Sequence, residues 1–236
     1  MTAAAIPRRE RLIVALDVPT PREARALVER LGDAACFYKI GLELFASGGY
    51  FELAEWLGAR GAKVFADLKL YDIPETVRRA VANLRGRGAA FITVHGNRAI
   101  LEAAAREKGG SRILAVTVLT SFGRADLEEM GYAGEIGDLV LARARGALAA
   151  GCDGVIASGL EAPKLKAAFG AQLLIVAPGI RPAGTQSGDQ KRTVNVSQAF
   201  AGGADYIVVG RPIRDAADPR AAALAIQRTI EGIFPS

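Results

Sequence analysis

Residues Lys63-Val64-Phe65-Ala66-Asp67-Leu68-Lys69-Leu70, the break Tyr71-Asp72-Ile73, and Pro74 to Leu84 form one unit: an apolar run, a polar interruption and a stretch of helical periodicity opened by proline. Proline suits the first turn of a helix, where its missing N–H has no partner to lose. The run before it has the length of a strand and is too short for a helix. The same unit recurs along the chain. Candidate strands are Leu12 to Val18, Cys36 to Gly41, Lys63 to Leu70, Phe91 to Gly96, Ile113 to Leu119, Gly154 to Ser158, Leu173 to Pro178 and Tyr206 to Gly210. Each is followed by a helical stretch, such as Pro21 to Leu31 after Thr20 or Asp218 to Ile233 at the end of the chain. Strand and helix alternating eight times predicts an α/β fold of the TIM type, a (β/α)8 barrel of parallel strands.

No Pro-, Gly- or Ser-rich linker divides the chain, so one domain over residues 1–236 is expected, with 1–11 as an N-terminal extension. The Ala-rich stretch Leu139 to Ala150 is apolar on nearly every face and should pack on the outside of the barrel. At 236 residues, 50% hydrophobic, with 27 Gly and 10 Pro, the composition excludes a disordered or collagen-like chain.

Thirty Lys and Arg against 25 Asp and Glu give +5. Acidic residues interleave with the basic ones, as in Pro21-Arg22-Glu23-Ala24-Arg25, and only 6% of residues are aromatic. Nucleic acid is therefore not the expected partner, and a small anionic ligand is. Cys36 and Cys152 have no Cys or His at metal-ligand spacing beside them, so buried free thiols in a reducing cytoplasm are expected. Basic residues up to Arg11 precede the apolar run Leu12 to Leu16, but Asp17 interrupts it far short of the roughly 18 residues a membrane helix needs. The expected protein is cytoplasmic, with no membrane partner.

Charge concentrates in one place. Asp67 and Lys69, two apart near the end of a strand, share a face by the period of two, and on a barrel strand that face points inward. Lys39 closes another candidate strand, and Asp17 follows Leu12 to Leu16. Buried opposite charges are costly without a task, so this rim is the candidate catalytic site; a structural salt bridge is the alternative. Alternating signs would keep Lys39 and Lys69 protonated beside Asp67 and Asp72. After the seventh candidate strand, Gly179 to Thr193 is long, polar and glycine-punctuated, as expected of a lid where such barrels commonly bind phosphate.

The segment Asp67-Leu68-Lys69-Leu70-Tyr71-Asp72-Ile73-Pro74-Glu75-Thr76 resembles, without a gap, the signature of the orotidine 5'-phosphate decarboxylase family. Leu16-Asp17, Lys39, Thr117-Val118-Leu119-Thr120-Ser121, Pro178-Gly179-Ile180-Arg181-Pro182 and Gly210-Arg211-Pro212-Ile213 extend the resemblance to nearly the whole chain. It implies a decarboxylase that needs no cofactor and no metal, acting as a homodimer of barrels on orotidine 5'-phosphate. Lys39, Asp67, Lys69 and Asp72 would be the charged tetrad, with Asp72 and Thr76 supplied to the neighbouring site and Ile73 beside them. Lys69 would protonate the pyrimidine carbon, Asp67 would face the departing carboxylate, and Lys39 and Asp17 would hold the ribose. Gln190 and Arg211, with Gly210 beside them, would bind phosphate, joined by Thr120 and Arg181.

Ser158, at the end of the sixth candidate strand, has two readings: a hydrogen bond to the pyrimidine edge, or a buried hydroxyl bonded to backbone. His95, the single histidine, is expected to be a satisfied rim residue, and Trp56 to pack within a helix. Two rivals compete with the decarboxylase. One is a sister barrel with the same Asp-x-Lys-x-x-Asp spacing that acts on a sugar phosphate through a metal-stabilised enediolate. The other is a non-catalytic binder of a phosphate ligand.

Overall fold

The computed structural model describes residues 6–181 and 192–235. Eight parallel strands close into a barrel in sequence order, with β8 pairing back onto β1. They are β1 (Leu12–Ala15), β2 (Phe37–Gly41), β3 (Lys63–Leu70), β4 (Ala89–Val94), β5 (Arg112–Val116), β6 (Gly154–Ile156), β7 (Leu174–Ala177) and β8 (Tyr206–Val209). The expected strand β3 is met residue for residue. Most of the others stop short of the expected C-terminal ends because the chain leaves the hydrogen-bonded ladder where it splays into the mouth. After Ala15, for example, Leu16 N–H still reaches Lys39 C=O at 2.9 Å, but Asp17 lies beyond the last strand residue.

Helices cover the outside: α1 (Pro21–Leu31), α2 (Leu42–Ala46), α3 (Tyr50–Gly58), α4 (Pro74–Gly86), α5 (Arg98–Glu107), α6 (Arg124–Glu129), α7 (Ile136–Ala149), α8 (Ala162–Phe169), α9 (Val196–Ala201), α10 (Arg211–Arg214) and α11 (Pro219–Ile233). Their starts follow from side-chain caps: Thr20 accepts from Glu23 N–H at 3.2 Å and Asp218 from Ala221 N–H at 2.9 Å, each just ahead of a proline. Despite its composition, α7 buries one face, through Val140, Ala144 and Ala147. Trp56 sits on α3 under the Arg60 guanidinium, 3.7 Å from its ring centre.

The barrel interior is layered. Phe37, Phe65, Phe91 and Tyr206 fill it in edge-to-face contacts, with centroids 4.9 Å apart for Phe37 and Phe91 and 5.1 Å for Phe91 and Tyr206. Two residues further along β2, β3 and β4, the same inward face carries Lys39, Asp67 and Thr93. These four aromatics thus form an apolar floor, and polar groups begin one layer above it.

Residues 6–11 are tied to the barrel: Arg11 donates to Asp205 C=O at 3.0 Å and stacks on Phe234, and Arg8 donates to Phe234 C=O at 3.4 Å. Cys152 is buried as expected. Cys36 is only half-buried, a correction that follows from its place just before β2, at the rim where the barrel strands begin. Burial pushes both thiols toward the neutral form, Cys152 to about 12. Among the described residues, no helix is long and apolar enough to cross a membrane.

Candidate active site

A cavity of about 510 Å³ opens at the C-terminal mouth of the barrel, lined by Asp17, Lys39, Asp67, Lys69, Thr120, Arg181, Gly210 and Arg211, with Val116, Val118, Ile156 and Val208 among its apolar walls. Four charged groups, two from β3, one from β2 and one from the segment after β1, form a chain on one side of it. Lys39 Nζ lies 2.7 Å from Asp17 Oδ1 and 3.4 Å from Asp67 Oδ2, and Lys69 Nζ lies 2.9 Å from Asp67 Oδ1. The Asp67 and Lys39 side chains are only 12% and 11% exposed, whereas Lys69 keeps 31%, so Lys69 is the more accessible of the two lysines that line the cavity.

Electrostatics keeps the two buried members of this chain, Lys39 and Asp67, charged. Burial works against the Lys39 ammonium, but Asp67 and then Asp17 outweigh it and hold its pKa above the ordinary lysine value. Burial also works against the Asp67 carboxylate, and Lys39, Lys69 and the hydrogen bonds from Lys69 and Thr93 hold its pKa below the ordinary range. The site therefore offers a fixed anion between two ammonium groups in a confined space. Gly41 makes room for it: a Cβ there would stand 3.2 Å from Lys39 Nζ and 3.5 Å from Asp17 Oδ1.

The backbone at Lys69 is unusual. Its φ is +48°, the one left-handed non-glycine among the described residues, a conformation that costs roughly 1–2 kcal/mol. The β3–β4 register shifts between Ala66 and Leu70. Period-two reasoning places Asp67 and Lys69 on one face, but the contact between them spans an irregularity in the strand.

Across the cavity, Gly179 leaves β7 with φ +76°, a conformation suited to glycine, and Arg181 follows it. Arg181 N–H donates to Val194 C=O at 2.9 Å, which ties together the two ends of the segment expected as a lid. Residues 182–191 of that segment, including Gln190, lie outside the described residues. Arg192 is buried: its guanidinium meets Glu161 at 2.5 Å and donates to the Val118 and Leu119 carbonyls at 3.1 and 3.0 Å. Arg214 also lines the cavity, donates to the Asp17 carbonyl and pairs with Asp215 at 2.6 Å. Sequence reasoning missed it, although Arg211 and Arg214 stand three apart on one short helix.

Asp72 does not join the charged chain within its own subunit, where the resemblance had it supplied to the neighbouring site. After Leu70 the chain turns outward, and Asp72 is exposed, its carboxylate accepting from Ile73 N–H at 2.6 Å. Asp17 takes the fourth place. Ile73 and Thr76 are likewise exposed and do not line the cavity.

Ser158 has the geometry of the second of its two readings. It is fully buried, donates to Arg192 C=O at 3.1 Å and accepts from Leu160 N–H at 3.2 Å, so its hydroxyl is engaged by backbone and is not part of the cavity wall. Thr120 lines the cavity instead. His95 is a correction to the expected satisfied rim residue: its Nδ1 is buried without a hydrogen-bond partner, its ring centre 5.4 Å from that of Tyr71. Burial, then Arg143 and Lys69, push its pKa down, which leaves the ring neutral. Among the described residues, no group of three or more His, Cys, Asp or Glu is placed to hold a metal ion.

Comparison with known proteins places the chain in a family. Residues 10–226 match the model of the orotidine 5'-phosphate decarboxylase / HUMPS family. The chain is 60% identical over 230 residues to an orotidine 5'-phosphate decarboxylase of Methylococcus capsulatus, covering 97% of this chain and 95% of that one. It is 55% identical to one of Stenotrophomonas maltophilia, covering 98% and 97%. Among solved structures, an orotidine 5'-phosphate decarboxylase from Lactobacillus acidophilus superposes with a TM-score of 0.84 at 36% identity, covering 94% of this chain and 99% of that one. By sequence, fold and full-length coverage, the chain belongs to the orotidine 5'-phosphate decarboxylase / HUMPS family.

Proposed function

We propose that this chain, an orotidine 5'-phosphate decarboxylase by family, converts orotidine 5'-phosphate to UMP and carbon dioxide in pyrimidine biosynthesis, with Lys69 as the proton donor. The observation that carries this assignment is the Lys69 ammonium, fastened to Asp67 at 2.9 Å yet open to the cavity. When the bond from ring carbon to carboxylate breaks, its electron pair stays on a carbon that no adjacent carbonyl relieves. A fixed cation beside that carbon stabilises the developing charge, and its proton completes the product as carbon dioxide leaves. Lys69 is left neutral and regains a proton from solvent. Asp67 orients Lys69 and faces the departing carboxylate, while Lys39 neutralises Asp67 and reaches the ribose with Asp17.

Arg211, Arg181, Gly210 and Gln190 take the phosphate, with Thr120 beside them. Binding a dianion remote from the reacting carbon contributes to catalysis by organising the charged groups around the ring. The working unit in this reading is a homodimer in which Asp72, Ile73 and Thr76 complete the neighbouring site. Their exposure supports it, as do exposed apolar side chains: Tyr71 and Ile73, beside Asp72 in sequence and 71% and 66% exposed, and Leu42 and Phe45 on α2.

The test follows loss of orotidine 5'-phosphate absorbance with purified protein after exhaustive chelation. Turnover is expected. A protein that is inert until a divalent metal is restored, or inert throughout, overturns the assignment in favour of a sugar-phosphate or binding role. The full-length relatives at 55–60% identity bear the decarboxylase name, which favours the first outcome.

A further inference from the structure

Thr93 lies on β4, is fully buried, and is not part of the cavity wall. Its hydroxyl is nevertheless the meeting point of the two residues on which the chemistry turns. Thr93 Oγ1 donates to Asp67 Oδ1 at 3.0 Å and accepts from the Lys69 backbone N–H at 2.9 Å. The directions are forced. An ionised carboxylate only accepts, so the single hydroxyl proton goes to Asp67, and the oxygen lone pair is left for the amide. Among the described residues, the other acceptor recorded for it, Ala66 C=O, is distant at 3.5 Å.

Both bonds fall at the irregularity in the barrel. Between Ala66 and Leu70 the β3–β4 register shifts, and the Lys69 amide finds a side-chain oxygen in place of a carbonyl on β4. The same oxygen of Asp67 that Thr93 holds is the one that receives Lys69 Nζ. A single hydroxyl therefore fixes the left-handed backbone of Lys69 and the carboxylate that aims its ammonium. We propose that Thr93 is a positioning residue for the decarboxylation step: its hydroxyl bridges the Lys69 amide and Asp67 and so sets where the Lys69 proton is presented. The inference rests on the reading of Lys69 as proton donor, and deepens it.

The test compares Thr93→Val, which keeps the shape and loses the hydroxyl, with Thr93→Ser, which keeps the hydroxyl. In Thr93→Val, kcat should fall roughly ten- to hundredfold, the worth of a hydrogen bond to a charged group. UMP affinity should stay within about threefold, because no phosphate or ribose contact is touched. Thr93→Ser should recover most of kcat. Exchange of the Lys69 amide hydrogen, which does not depend on activity, should quicken locally in the Val variant and slow again in the Ser variant. An unchanged kcat and unchanged Lys69 exchange in Thr93→Val overturn the proposal. So does a Thr93→Ser variant no better than Val, or a loss of UMP affinity parallel to kcat, which marks a general disturbance of the barrel. Inert wild-type protein with the predicted exchange pattern refutes the decarboxylase reading and leaves the bridge standing.

Discussion

Lys69 Nζ sits 2.9 Å from Asp67 Oδ1, although the backbone of Lys69 has left regular strand geometry and stands at φ +48°. The pair is thus built by an interruption of β3, held from β4, and backed by Lys39 from β2. Three neighbouring strands fix one ammonium, and each can be perturbed separately.

The charge chain predicts a flat stability profile at neutral pH. The Asp67 pKa is lowered on folding, so its contribution is fully present above the unfolded value of about 3.9 and is lost as pH falls through the lowered folded value. The Lys39 pKa is raised, so its contribution is fully present below the unfolded value of about 10.4 and is lost as pH rises through the raised one. Urea unfolding of the wild type and of the Asp67→Asn, Lys39→Met double variant should differ by a constant amount between about pH 5 and pH 9 and change only outside it. A difference that varies through pH 7 contradicts the assigned directions.

Arg211 is expected to act on phosphate. Arg211→Ala should weaken UMP binding by about ten- to hundredfold while leaving uridine binding within about twofold, as titration calorimetry of both ligands would read. Equal losses for the two ligands would remove Arg211 from the phosphate site.

Exchange between subunits tests the homodimer. Asp72→Ala and Lys69→Ala proteins, each nearly inactive alone, should regain about a quarter of wild-type activity when mixed in equal amounts, since half the dimers are hybrids with one intact site each. No recovery, with exchange verified by mass spectrometry, would show that Asp72 serves its own subunit or none.

Much of this was legible in the sequence. Alternating strand and helix units announced the barrel, and charged residues at the ends of apolar runs announced Asp17, Lys39, Asp67 and Lys69, because a barrel strand end is where inward-facing charge has a use. Asp72 read as one of the same group by spacing, but spacing along a chain says nothing of the outward turn after Leu70. Ser158 stayed between two readings because its partner, the Arg192 carbonyl, arrives from 34 residues away. Thr93 left a signal that went unused. Phe91-x-Thr93 repeats the pattern of Phe37-x-Lys39 and Phe65-x-Asp67, an aromatic floor residue followed two positions later by a polar one, but an uncharged hydroxyl does not stand out.

The most direct measurement is turnover and UMP affinity of Lys69→Ala beside the wild type. If Lys69 is the proton donor, kcat falls by at least about a thousandfold while UMP still binds within about tenfold of wild type. Near-wild-type turnover by the folded variant would contradict the mechanism outright.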